Sequence, residues 1–453
     1  MRRLFQNISR TEFFLFWCIV LITSLPWSRF LLSVSIWAIV IISFFQLKPI
    51  LYRHDAPPVH ISNFQFSIFN FQLKTTPQYF TNFLRNPALI ALTIPFFLVF
   101  ISGLWSEDID FWLKRVQLRI PFLVIPFAFA NMDCFVSRND SFVPRNDKRA
   151  VFILLEVALI TICTTLIVVI TNYAFHFTEI NIALGEGRAM PFLKTHITFS
   201  IMAAFVLMGG IELWRERFYW KYEFEKKLIP VLTVFLFIGL HIISVRSGLV
   251  AAYICLTIKL FLLIFKEKRY VLGILSFLIL MTIPIFAYKN IPSFQQRINY
   301  AIWDLGKYQE QLPETYSDAQ RIISYKIGFE VVKNNPFLGV GSGDADAEIV
   351  KTYAQFYPNL KYKMPHNGWL FNAVETGLIG LSIYVFSFLF IVFYKKMYKN
   401  ELFLLLNVAI FVGQTVDYMF EGTFGATFYV FFVSLFLNYY QDKNREISSQ
   451  ANV

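Results

Sequence analysis

Met364-Pro365-His366-Asn367-Gly368-Trp369 closes a polar stretch that begins near Lys289 and lies between long apolar runs. The runs on either side each approach the roughly 20 apolar residues that a helix needs to cross a bilayer, and the polar stretch does not. The chain therefore reads as a membrane protein that leaves one large loop on one face. A histidine stands where that loop re-enters the bilayer, an arrangement suited to chemistry rather than only to solute passage.

Composition agrees with this class. Over 453 residues the chain is 56% hydrophobic and 16% charged, with 53 Phe and a mean hydropathy of +0.53. Soluble proteins average roughly 45–50% apolar and about 25% charged. Apolar runs fall at 13–26, 29–47, 88–104, 116–130, 150–173, 195–211, 228–244, 247–265, 270–288, 368–394, 401–418 and 424–440. They predict an all-α integral membrane protein with about twelve transmembrane helices. Three regions follow: a nine-span membrane region over 1–288, a loop region over 289–366 between spans nine and ten, and a three-span region with a tail over 367–453. The first run is not followed by a small-residue cleavage site, so it reads as a retained helix.

Charge sets the orientation. With Arg2, Arg3 and Arg10 on the cytoplasmic side, alternate loops should be basic. They are, at Lys48, Arg53, Lys74 and Arg85, then Arg138, Arg145, Lys148 and Arg149, then Arg215 to Lys227, Lys266 to Arg269, and Lys395 to Lys399. Nine spans precede the large loop, which puts it outside with both termini cytoplasmic. The net charge of +11 is then a topology signal towards anionic headgroups and calls for no nucleic acid.

Cysteine usage points away from disulfide or metal chemistry. Cys18, Cys163 and Cys255 sit in apolar runs and Cys134 in a cytoplasmic loop, with no CxxC to suggest a zinc site. Two biased segments, Ser137 to Asp147 and Asn63 to Gln72, face the cytoplasm and read as filler. The sequence has no long-period repeat and no inverted pair of broken helices of the kind that marks many transporters.

Candidate chemistry is sought among polar groups on the outer side. Arg188 lies in the Gly187-Arg188 loop after span five, and Arg246 in the tight Ser244-Val245-Arg246-Ser247-Gly248 turn. Arg321 opens an amphipathic stretch that ends at Asn335-Pro336 and the Gly-rich turn Gly339-Val340-Gly341-Ser342-Gly343. Arginines at a bilayer edge are costly to desolvate. Several on one face suit a diphosphate, whose oxygens match the guanidinium fork; the plainer alternative for each is snorkelling to headgroups. His366 suits a general base, because imidazole titrates near neutrality. His196 reads more readily as a packed histidine and His241 as structural, with His196 and Asn367 kept as candidate substrate contacts. Asp417 and Glu421 are placed to hydrogen-bond a polyhydroxyl substrate. Asp344-Ala345-Asp346 reads as turn and cap chemistry, and Glu107, Asp108 and Asp110 make only a weak metal pattern.

Gly187-Arg188, the Ser-Val-Arg-Ser-Gly turn, Arg321 running into Asn335-Pro336-Phe337-Leu338-Gly339, and His366 to Gly380 together resemble the bacterial O-antigen ligase family. That family includes O-antigen polymerases and protein O-oligosaccharyltransferases. The specific motifs cover about 188–255 and 320–380. The resemblance implies a metal-independent, cofactor-free inverting glycosyltransferase of the GT-C type in the bacterial inner membrane, with its active site facing the periplasm. It would take a glycan from undecaprenyl diphosphate and pass it to an acceptor hydroxyl, on the lipopolysaccharide core for a ligase or on a growing glycan for a polymerase. His366 would be the base, and Arg188, Arg246 and Arg321 would bind the diphosphate. A departure is Lys194-Thr195-His196, which differs from the segment usual at the end of the Arg188 loop. A polysaccharide flippase or exporter and a non-catalytic scaffold are the rival classes; tolerance of His366 substitution would favour the first, and tolerance of Arg246 loss the second.

Overall fold

A computed structural model describes residues 10–47, 71–73, 76–132, 147–193, 195–309, 317–360 and 362–450. The segments 137–147 and 63–72, read above as filler, lie almost entirely outside these residues, as do Cys134 and Lys194. The chain order is α1 (Arg10–Ser24), α2 (Arg29–Phe44), β1 (Phe45–Leu47), β2 (Phe71–Leu73), α3 (Thr76–Leu84), α4 (Pro87–Ser102), α5 (Ile109–Ala130), α6 (Asp147–Phe175), α7 (Phe177–Gly185), α8 (His196–Arg215), α9 (Glu225–Ile243), α10 (Arg246–Phe265), α11 (Tyr270–Asn290), α12 (Pro292–Gln309), α13 (Ser317–Asn334), α14 (Ala345–Phe356), α15 (Gly368–Phe393), α16 (Glu401–Val416) and α17 (Thr423–Gln450). Among the described residues the fold is helical apart from a three-residue antiparallel pairing of β1 with β2.

Each of the twelve apolar runs lies mainly on a helix, the second continuing into β1 at Phe45–Leu47. Among the described residues, six helices are long and apolar enough to cross a membrane: Arg149–Phe175, His196–Arg215, Glu225–Ile243, Arg246–Phe265, Tyr270–Asn290 and Gly368–Lys399. Shorter apolar helices at Arg29–Phe44, Pro87–Ser102, Glu401–Val416 and Thr423–Tyr439 pack among them. The centre of the bundle is built by α8 and α17. Phe205 of α8 meets Phe428 and Phe432 of α17 at 5.8 and 5.2 Å between ring centroids, and all three rings are buried. Along α11, by contrast, Val271, Leu275, Leu278 and Phe286 are all exposed. An exposed face this apolar fits lipid rather than water as its solvent.

The polar stretch forms α12, α13 and α14, which do not stand apart from the membrane helices. Ile323, Ile327 and Val331 of α13 and Ile349 and Tyr353 of α14 share one hydrophobic core with Leu370, Phe371 and Val374 of α15. The first turns of α15 therefore belong structurally to the loop region as much as to the bundle.

Two devices fix this docking. In the first, α15 is broken at Gly377 (φ 67°, ψ −173°), a conformation essentially confined to glycine. The chain at 336–341 enters the break. Val340 and Gly341 N–H donate to the Val374 and Glu375 carbonyls at 2.9 and 3.0 Å, and Leu378 N–H donates to the Pro336 carbonyl at 2.8 Å. The backbone groups freed by the break are thus satisfied by the loop, as a membrane setting demands. A Cβ at Gly377 would lie 2.1 Å from the Phe337 carbonyl oxygen, and one at Gly339 would lie 2.5 Å from Gly377 N. Gly377→Ala is accordingly expected to destabilise the protein by about 1–3 kcal/mol or more, read as a lowered unfolding temperature in detergent. An unchanged temperature would show that the break is not held by this contact.

In the second device, the Gly-rich turn latches onto the end of α4. Ser342 Oγ and Ser102 Oγ are 2.7 Å apart, and Gly343 N–H donates to Ser106 Oγ at 3.0 Å. The Asp344 carboxylate accepts from Glu107 and Asp108 N–H at 2.7 and 3.0 Å. Asp344 thus latches a separate loop and makes no side-chain cap bond to its own helix.

Candidate active site

His366 sits immediately before the start of α15, where the loop region meets the bundle. Asn367 Oδ1 caps that helix by accepting from Leu370 N–H at 3.0 Å, as a helix start requires. The Tyr325 hydroxyl of α13 donates to the His366 carbonyl at 2.7 Å. The imidazole Nδ1 lies 2.9 Å from Asp417 Oδ1, at the end of α16. With Nδ1–H donated to this carboxylate, Nε2 carries the lone pair and can accept a proton. The two side chains keep 29% and 19% of their surface, so a substrate can reach them.

Cations and a second histidine face this pair. His196, the first residue of α8, has Arg297, Asp417, Arg321 and His366 all within Coulombic range. Arg321 lies one turn before Tyr325 on α13. Burial raises the Tyr325 phenol above its ordinary pKa; the nearby Arg321 pulls it down and Asp417 pushes it up. Arg297 of α12 donates to the Gly187 and Arg188 carbonyls at 3.1 and 3.2 Å, tying the loop before α8 to α12. Glu421, in the 419–421 turn before α17, has Arg115, Asp417, Asp346 and His366 around it, and burial pushes its carboxyl above the ordinary value.

Of the residues singled out from sequence, His366, Asp417, His196, Arg321 and Glu421 therefore come together. Arg246 opens α10 just after Ser244, which closes α9 in the left-handed conformation (φ 51°). That helix start lies against α8, since a Cβ at Gly248 would come within 2.3 Å of Ser200 Cβ. Arg246 is half-buried there. Asn367 spends its side-chain oxygen on the cap. Arg188 turns outward, with 73% of its side chain exposed and an ion pair to Glu186 at 2.8 Å. His241 is a satisfied core histidine, bonded to the Phe237 carbonyl and the Tyr253 hydroxyl at 2.9 Å each. The described residues hold no cluster of three or more His, Cys, Asp or Glu that would bind a metal.

Behind the histidine lies a buried ionic network that the sequence reading did not anticipate. Arg115 and Arg119, one turn apart on α5, are 5% and 4% exposed, and Glu375 of α15 is fully buried. Arg115 pairs with Asp346 at 2.8 Å and stands 3.9 Å from Glu375, the second distance being an ion pair without a hydrogen bond. The Tyr418 hydroxyl donates to Glu375 Oε2 at 3.0 Å and accepts from Arg119 Nη2. Arg115 also lies over the Phe371 ring, 5.0 Å from its centroid, where a desolvated cation gains from the ring quadrupole. The available signal was the i, i+4 arginine spacing at 115 and 119, together with a lone acid in the apolar run 368–394. An intramembrane acid needs a partner, and these arginines supply it.

Fold and site together define a helical membrane protein with a histidine–carboxylate pair set among arginines. Residues 231–385 match the family model described as O-antigen ligase. The matched segment covers roughly a third of the chain and carries Arg246, Arg297, Arg321, His366 and Glu375. His196, Asp417 and Glu421 lie outside it. A comparison with curated proteins finds no match. The family indicates a glycosyltransferase-like membrane enzyme of the O-antigen ligase or polymerase type, working on lipid-linked glycan in a bilayer.

Proposed function

We infer that the chain transfers a glycan from undecaprenyl diphosphate to an acceptor hydroxyl on the lipopolysaccharide core, as an O-antigen ligase. The carrying observation is the His366–Asp417 pair at 2.9 Å, which shares the surroundings of His196 with Arg321 and Arg297, largely within the matched segment. The reading takes the large loop to face the periplasm between spans nine and ten of twelve, with both termini cytoplasmic and the three regions bounded at 288 and 366.

In this mechanism Nε2 of His366 takes the proton of the acceptor hydroxyl as its oxygen attacks the anomeric carbon. The new C–O bond forms on the face opposite the bond that breaks, which inverts the anomeric centre. The electron pair of the broken bond leaves on the diphosphate. Arg321 and Arg297 neutralise that departing charge, with Arg246 completing the clamp from the neighbouring helix start; the Arg188 side chain, paired outward with Glu186, stands outside it. Fixed donors aimed at developing charge supply a large electrostatic contribution in such a site, so the reaction needs no metal. Asp417 holds the imidazolium until its proton passes to solvent. Glu421 and His196 border the acceptor side, where hydroxyl groups find acceptors.

The test is transfer by purified protein in detergent with EDTA present, from undecaprenyl diphosphate-linked glycan to core lipopolysaccharide. Transfer is expected to survive chelation and to fall about 10²-fold or more in Arg321→Ala. Elongation of the lipid-linked glycan in place of transfer to core would assign the chain to the polymerases. Loss of transfer on chelation, restored by a divalent cation, would overturn the metal-free scheme.

A further inference from the structure

We propose that Tyr418, gripped between Arg119 and Glu375, is a positioning residue that holds Asp417 on His366. This rests on the reading of His366 as the base. Asp417 has left helix α16 and is extended (φ −161°, ψ 167°), so its carboxylate would swing unless the turn around it were fixed. The backbone is pinned on both sides: Asp417 N–H donates to the Gly413 carbonyl at 2.9 Å, and its own carbonyl accepts from Gly368 N–H at 3.2 Å. The next residue is pinned by its side chain. The Tyr418 hydroxyl accepts from Arg119 and donates to Glu375, and its ring packs on Phe371 at 4.5 Å between centroids.

Glu375 and Phe371 belong to α15, the helix that His366 leads into, and Arg119 belongs to α5. The histidine and its carboxylate are thus fastened to one anchor from two directions. Tyr418 is only 8% exposed, so it acts through Asp417 rather than on substrate. A buried hydroxyl that both donates to and accepts from charged groups has one allowed orientation, because leaving either group unpaired in a low dielectric is costly. Small displacements at a reacting centre carry large kinetic penalties, about 10²-fold for ~1 Å.

Tyr418→Phe keeps the ring on Phe371 and removes both hydrogen bonds. The expected result is a kcat lowered about 10–100-fold with an unchanged KM for undecaprenyl diphosphate-linked glycan. In an Asp417→Asn background the same substitution is expected to cost nothing further, since the contact it positions is already weakened and coupled residues are non-additive. Arg119→Lys, which keeps a donor for the hydroxyl, should retain more activity than Arg119→Leu. Wild-type kcat in Tyr418→Phe would overturn the proposal, as would a raised KM with kcat preserved. An equal loss in both backgrounds would do the same, because it would report damage independent of the pair. Full transfer by His366→Ala would remove the base reading and this proposal with it. An inactive His366→Ala beside a fully active Tyr418→Phe would remove only the positioning role.

Discussion

His366→Ala is expected to lower glycan transfer about 10²–10⁴-fold, the usual contribution of a positioned general base, while the protein still inserts and folds. An imidazole with Nδ1 2.9 Å from a carboxylate is oriented, keeps one nitrogen basic and has a counter-charge ready for the imidazolium. The same side chain is partly solvent-accessible, so its removal leaves no buried polar group unpaired. Asp417→Asn is expected to lose less than His366→Ala, because the base remains but its orientation and charge partner are weakened. His176 is the control. It is exposed and bonded only within its own turn, to the Asn172 carbonyl at 3.2 Å among the described contacts, so His176→Ala should transfer at the wild-type rate. Undiminished transfer by His366→Ala would end the base assignment.

What the sequence disclosed and what it concealed follow from the range of the signals. Apolar runs are local, and all twelve lie mainly on helices. His366 was legible because it marks the change from polar to apolar chain, and Arg321 because an amphipathic stretch begins there. The pairing of His366 with Asp417 spans 51 residues, and nothing local to either residue announces the other. Arg297 was hidden for the opposite reason: α12 mixes polar and apolar residues along its length, so a single arginine there carries no contrast. Arg115 and Arg119 were lost at the edge of an apolar run whose partner acid lies in another run entirely. The Gly-rich turn at 339–343 was legible as a turn, but its target, the broken helix at Gly377, was not. Arg188 illustrates the limit of motif reading, since its backbone is tied to α12 while its side chain faces Glu186 at the surface.

The largest effect on stability is expected from Glu375→Leu. Glu375 is fully buried, pairs with Arg115 and accepts from Tyr418. Removing its charge leaves cations in a low-dielectric interior with too little compensation. Breaking one side of such a buried pair costs about 3–5 kcal/mol. Arg115 retains Asp346 at 2.8 Å, whereas Arg119 is left with the Tyr418 hydroxyl and ring, so Arg119 bears most of the damage. Glu375→Gln should cost less, because an amide oxygen still accepts from Tyr418. The decisive comparison is the double variant Arg119→Met, Glu375→Leu. Replacing both members by apolar side chains removes the uncompensated charge along with the pair, and such exchanges are often neutral. Its unfolding temperature in detergent is expected to lie above that of Glu375→Leu alone but below wild type, since the buried Tyr418 hydroxyl loses both partners at a cost of about 1–3 kcal/mol, and transfer falls for the same reason. Two losses that simply add would show that Arg119 and Glu375 do not act as one unit, and a Glu375→Leu protein as stable as wild type would show that the network contributes nothing to holding α5 against α15.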